Sequence, residues 1–196
     1  MFVVDDDISV RESLEGLLRS AGWRVETFVS AADFLAYPRT NVPCCLVLDV
    51  SLPDLNGLEL QQRLYDRREL PIVFITGHGD IPMSVRAMKA GATEFLTKPF
   101  KADALLNAIR AAIERSTAAL GREAELHKLR ESYAALSRRE REVMALVVSG
   151  KLNKQVGGAL GISEITVKAH RGRVMRKMKA GSLADLVKMA SSLRVS

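Results

Sequence analysis

The chain has no apolar run approaching the ~18 residues that a membrane-spanning helix requires, which argues against a helical membrane protein. Its start, MFVVDDD, is acidic and strand-like, so it does not read as a secretory signal. Met1 lies so close to that first strand that the presence of further native residues upstream is left open. Cysteine is scarce. Cys44 and Cys45 are adjacent in a predicted strand, so their side chains point to opposite faces. They read as reduced core residues of a cytosolic protein rather than as a redox or metal pair. Repeats and low-complexity tracts are also missing. What is there is ordinary for a globular protein: 196 residues, 47% hydrophobic and 27% charged, enough for one large domain or two small ones.

The charge is unevenly spread. Residues 1–115 hold 13 Lys and Arg against 16 Asp and Glu, whereas residues 116–196 hold 16 against 7. An acidic front and a basic back imply two jobs in one chain, with a polyanion as partner of the back.

The front alternates short apolar runs with helical stripes. Phe2–Val4, Trp23–Phe28, Cys44–Leu48, Pro71–Thr76 and Glu94–Thr97 read as strands. Ser9-x-x-Glu12 has capping-box spacing before a first helix that ends at Gly22. Further helices are expected over 31–37, from Leu58 to about Arg68, over 82–90, and from Lys101 onward. This alternation predicts a five-stranded doubly wound parallel sheet. Right-handed crossovers place Asp5, Asp6, Asp49, Thr76 and Lys98 on one rim, outside the carboxyl ends of the strands. Residues 101–135 read as one long linking helix, with Gly121 as a potential break, and serve as a dimerising coiled coil or as a plain spacer.

Three carboxylates on one rim repel one another unless a cation sits among them, and hard oxygen ligands suit Mg²⁺. Lys98 can reach phosphoryl oxygens as a point charge, and Thr76 can donate a hydroxyl hydrogen bond. The set DD, D, T-G and K-P, each following a strand, resembles the receiver domain of a two-component response regulator, with a flavodoxin-like fold. The resemblance implies that Asp49 accepts a phosphoryl group from a partner sensor histidine kinase. It implies that Asp6, Asp49 and the Ser51 carbonyl bind Mg²⁺ with Asp5 assisting, that Thr76 and Phe95 form the switch pair, and that Lys98 contacts the phosphate. It also implies a cis Lys98–Pro99 bond. His78, two residues past Thr76, reads as a loop histidine.

The back reads as four helices. Ser137-x-x-Glu140 is a second capping box. Asn153 is expected to cap a short helix to Leu160, Gly161 to turn, Ser163 to cap a longer helix to Lys179, and Ser182 to start a last one with Leu183, Leu186, Val187 and Ala190 facing in. On a helical wheel Val167, His170, Val174 and Met178 share one face; Ile165, Lys168, Ala169, Gly172, Arg173 and Arg176 lie opposite. A short capped helix, a glycine turn and a longer basic helix suit the major groove of DNA. The runs SRREREV, NKQV and GISEITVKAHR resemble the LuxR-type four-helix DNA-binding domain, and the two halves together resemble the FixJ/NarL class. That implies that Lys168 and Ala169 face bases while Asn153, Lys154, Thr166 and Arg171 hold phosphates. Gly172 departs from the pattern, so Arg173 or Arg176 is expected to contribute instead. Gly157-Gly158 is expected to weaken the short helix locally.

The sequence is thus identified as a member of the response regulators. It is expected to have a receiver over 1–115, a helical linker over 116–135 and an all-α DNA-binding domain over 136–196. It would be a cytoplasmic, non-enzymatic transcription regulator, switched by phosphorylation, binding promoter DNA as a homodimer and using no membrane. Helix four, strand five and helix five are all open as the dimer face. A phosphorylation-independent regulator and an aspartyl-phosphate enzyme are the weaker alternatives.

Overall fold

The computed structural model of the chain describes residues 1–77 and 79–194, so His78 lies outside the described residues. Two compact units emerge, Met1–Gly121 and Arg122–Ser196.

The first unit is built on five short parallel strands, β1 (Phe2–Val4), β2 (Glu26–Phe28), β3 (Leu46–Asp49), β4 (Ile72–Thr76) and β5 (Glu94–Thr97), in the order β2-β1-β3-β4-β5. Between them run α1 (Ile8–Ser20), α2 (Ala31–Ala36), α3 (Gly57–Arg63) and α4 (Ile81–Lys89), and α5 (Ala102–Ala134) follows β5. Strand side chains alternate between two cores. Val4, Leu46, Leu48 and Phe74 pack with Phe34, Leu60 and Ala87 on one face. Val3, Val47, Val73 and Ile75 pack with Leu14, Leu18, Leu105 and Ile109 on the other. Cys44 and Cys45 fall one to each core, both as free thiols, and burial pushes both above the usual thiol range.

Several boundaries differ from the sequence reading, each for a local reason. The first helix is capped by Asp7, whose Oδ1 accepts from the Ser9 amide at 2.8 Å, so the helix starts at Ile8 and Ser9 is not its cap. α3 stops at Arg63 rather than near Arg68, and Tyr65 beyond its end is exposed. The chain there breaks off so that Leu70 is buried and Arg67 lies 5.8 Å over the Phe34 ring. α5 passes Gly121 unbroken, with open space beside that residue. Lys98–Pro99 is cis.

The second unit contains α6 (Arg138–Val148), α7 (Asn153–Leu160), α8 (Glu164–Met178) and α9 (Leu183–Leu193). Their core is Val143, Met144, Val147, Val156, Val167, Val174, Met178 and Leu186, with Leu129 and Tyr133 from the end of α5 packed against it. The capping box at Ser137 and Glu140 forms as expected, and Ser163 and Ser182 cap α8 and α9. Asn153 does not cap α7. It is that helix's first residue, and Gln155 Oε1 accepts from the Leu152 amide instead. In α9 only Leu186 and Ala190 of the expected stripe are buried; Leu183 and Val187 stay 40% and 38% exposed. Gly157 has a packing reason to be glycine, since a Cβ there would sit 2.7 Å from the Ile162 carbonyl oxygen at the turn into α8.

Candidate functional site

Parallel strands bring their carboxyl ends to one rim, where β1 delivers two carboxylates and β3, β4 and β5 one polar group each. Asp5 follows β1 and is fully buried; Asp6 beside it is exposed. Asp49 ends β3 and is buried. One oxygen from each of Asp5, Asp6 and Asp49 falls within 4.8 Å of the others. The Lys98 ammonium bridges two of them, 2.8 Å from Asp5 Oδ2 and 2.7 Å from Asp49 Oδ2. The Ser51 amide donates to Asp49 Oδ1 at 3.0 Å, which fixes the carboxylate and turns the chain into the next loop.

The electrostatics follow from the crowding. Burial pushes the Asp5 carboxyl above the usual carboxylate range, against the pull of Lys98 and the Asp7 amide. Burial also works against the Lys98 charge, yet hydrogen bonds to Asp49 and Asp5 hold that ammonium above its ordinary value. Three carboxylates with one ammonium leave an unbalanced negative pocket of hard oxygen donors. That donor set fits Mg²⁺, which favours carboxylates and keeps several waters.

Thr76, at the end of β4, is fully buried. Phe95 on β5 is half-buried, its ring centroid 6.1 Å from that of Phe74. Gly79 lies close to both residues: a Cβ there would sit 2.9 Å from Thr76 Cγ2 and 2.9 Å from Phe95 Cε1. Two contacts at this rim went unseen in the sequence. Arg11 Nη1 donates to the Asp5 carbonyl at 2.7 Å, and Asp54 accepts from the Ala31 and Ala32 amides. The Asp54 contacts join segments more than twenty residues apart, and the Arg11 contact reaches back six residues from α1, a separation that marks no capping or turn motif.

The second unit presents the basic face. Ile165, Lys168, Ala169, Gly172, Arg173 and Arg176 of α8 are all exposed, opposite the buried Val167, Val174 and Met178. Lys154 is exposed at the start of α7, and Asn153 Oδ1 accepts from Arg171 Nη1 at 3.3 Å. The Thr166 hydroxyl lies 2.8 Å from Ser163 Oγ in the first turn of α8. Lys168 reaches back to Glu164 at 3.4 Å. The C-terminal end of α8 is anchored by Lys177, which bonds Glu140 Oε2 at 2.7 Å and the Ala135 carbonyl at 3.0 Å.

Two family models match these two units. The response regulator receiver domain matches residues 1–110, and the family of bacterial regulatory proteins called luxR matches residues 134–190. The chain belongs to the response regulators. Nodulation protein W of Bradyrhizobium diazoefficiens is 51% identical over 197 aligned positions, covering 100% of this chain and 87% of that protein. Response regulator protein TodT of Pseudomonas putida is 46% identical, with the same coverage. Among solved structures, response regulator StyR superposes with a TM-score of 0.82 at 49% identity, over 97% of this chain and 96% of that one. Full-length FixJ from B. japonicum gives 0.56 at 40% identity, over 100% and 97%. This response regulator joins a receiver to a LuxR-type DNA-binding domain. It is a transcription regulator controlled by phosphorylation, not an enzyme, and its partners are a histidine kinase and DNA.

Proposed function

We propose that Asp49 is the phosphoryl acceptor and that its modification sets the DNA binding of the second unit. The observation that carries this is the Lys98 ammonium held between the buried Asp5 and Asp49 carboxylates at the sheet's rim. An Asp49 oxygen attacks phosphorus; the phosphorus–nitrogen bond to the kinase histidine breaks, and the imidazole leaves with the electron pair. Lys98 then exchanges a carboxylate oxygen for a phosphoryl oxygen. Asp5, Asp6, Asp49 and the Ser51 carbonyl hold Mg²⁺, which when bound shields the negative oxygens of the group in transfer. The new charge, about −1.5 to −2, draws the Thr76 hydroxyl toward it, and Phe95 turns into the space vacated.

The working division is a receiver over 1–115, a linker over 116–135 and a DNA-binding domain over 136–196. Lys168 and Ala169 face bases, with Arg173 or Arg176 contributing to base readout in place of Gly172, while Asn153, Lys154, Thr166 and Arg171 hold phosphates. The exposure of Lys154, Lys168, Ala169, Arg173 and Arg176 supports this assignment. The phosphorylated protein acts as a homodimer on promoter DNA, since one small domain makes few contacts for selective binding. Its place is the cytoplasm, where its DNA is, and among the described residues no helix is long and apolar enough to cross a membrane.

The test is a phosphodonor such as acetyl phosphate with Mg²⁺, applied to wild type and Asp49→Ala. Only wild type is expected to gain a phosphoryl mass and to bind promoter fragments more tightly. Equal mass and equal DNA affinity in both proteins would remove Asp49 from this role.

A further inference from the structure

The exposed face of α8 is basic or small-chained except in its first turn, where Ile165 stands 80% exposed. Ile165 is two residues beyond the Ser163 cap, on the stripe that continues through Lys168, Ala169 and Gly172. A lone exposed isoleucine is unremarkable on most surfaces. Here it sits within the face of α8 that carries Lys168, Arg173 and Arg176. Its neighbours in the turn have partners: Ser163 Oγ accepts the Thr166 amide at 3.1 Å and meets the Thr166 hydroxyl at 2.8 Å, and Glu164 pairs with Lys168 at 3.4 Å. Ile165 alone offers that turn an apolar outward end, with no donor or acceptor to spend on phosphate.

We infer that Ile165 packs against the 5-methyl group of a thymine in the major groove and so sets part of the base sequence this regulator selects. The inference rests on the proposed use of α8 as the DNA-reading helix. Base edges in the major groove present hydrogen-bonding groups, and thymine adds a methyl group, the surface that suits an aliphatic side chain. The spacing fits as well. At about 1.5 Å of rise per residue, Ile165 precedes Lys168 by about 4.5 Å. That lies between one and two base-pair steps of about 3.4 Å. Lys168, a donor suited to guanine, and Ile165 therefore address neighbouring base pairs. Lys168 must leave Glu164 to reach its base, whereas Ile165 needs no rearrangement.

The test uses the full chain treated with phosphodonor and duplexes selected by it from a random pool. Each thymine of the selected half-site is then replaced singly by deoxyuridine, which keeps the pairing and removes the methyl. Wild type is expected to lose about fourfold in affinity at one thymine per half-site, the fold-change that burial of one methyl-sized group gives. Ile165→Ala is expected to bind the unmodified duplex more weakly, to show no further loss at that deoxyuridine, and to keep the wild-type salt dependence. The assignment is overturned if wild type ignores every deoxyuridine, or if Ile165→Ala keeps wild-type sensitivity at each. Failure to recover any duplex would overturn the DNA-reading role of α8, and this contact with it. Recovery of a duplex whose deoxyuridine profile is unchanged in Ile165→Ala would overturn the contact alone.

Discussion

Two glycines of the receiver carry opposite consequences, and the difference is what lies beside them. A Cβ on Gly57 would fall 2.5 Å from the Asp49 carbonyl oxygen and 3.0 Å from Val50 Cα, both backbone atoms with no rotamer to yield. Gly16, in the middle of α1, has nothing within 4 Å of its Cβ position. Gly57→Ala is therefore expected to destabilise the receiver by about 1–3 kcal/mol through overpacking. It should also slow phosphoryl uptake, because the backbone that must shift is the one carrying Asp49. Gly16→Ala is expected to stabilise by about 0.5–1 kcal/mol, the gain of Ala over Gly inside a helix. Urea denaturation followed by fluorescence of Trp23, the chain's only tryptophan, reads both. A loss of stability in Gly16→Ala, or none in Gly57→Ala, would contradict this account.

Among the elements, α8 is the one whose placement matters most, and its C-terminal end hangs on a buried carboxylate. Glu140 is 3% exposed; it accepts Lys177 at 2.7 Å and the Ser137 amide at 2.8 Å. Lys177→Met strands that carboxylate with one donor fewer, at an expected cost of about 1.5–3 kcal/mol for a lost charged hydrogen bond. Because the tryptophan is in the other unit, the loss should show in far-UV circular dichroism and leave the Trp23 transition in place. The Lys177 ammonium, with the Ser137 amide, also holds the Glu140 carboxyl below the usual glutamate range. A lowered folded value means stability that is fully present above the ordinary pKa of about 4.3 and is lost as pH falls through the folded value. Glu140→Gln should flatten that acid limb of the second unit's stability; an unchanged limb would put its origin elsewhere. The pair also shows how far the sequence could be read. Ser137 and Glu140, three residues apart, announced their box. Lys177 lies 37 residues from Glu140, and no local spacing pairs the two. The same holds at the acidic rim. Each of its carboxylates lies at or just past the end of an apolar strand, so alternation placed it, whereas the Asp54 contacts to the Ala31 and Ala32 amides and the early end of α3 depend on tertiary contacts that no local pattern encodes.

For the whole molecule, the sign of the charges constrains how phosphorylation can raise DNA affinity. Residues 1–115 already carry more acid than base, 16 against 13, and an aspartyl phosphate adds about −1.5 to −2 more. Direct electrostatics from the modified receiver therefore oppose DNA binding, weakly, since charges beyond about 8 Å are screened at physiological salt. A gain must come from geometry, and in the proposed homodimer a second copy would supply it by doubling the cations on DNA. In the proposed assignment each copy offers two cations, Lys154 and Arg171, to phosphates. With a slope of about −0.9 per phosphate neutralised, log affinity against log salt should fall at roughly −1.8 for one copy and roughly −3.6 for two. Wild type treated with phosphodonor should take the steeper slope and sediment as a dimer, while Asp49→Ala should keep the shallow one. If affinity rises on phosphorylation with no change of slope, a single copy is binding and the gain lies in a released or reoriented α8, and the dimer must be abandoned.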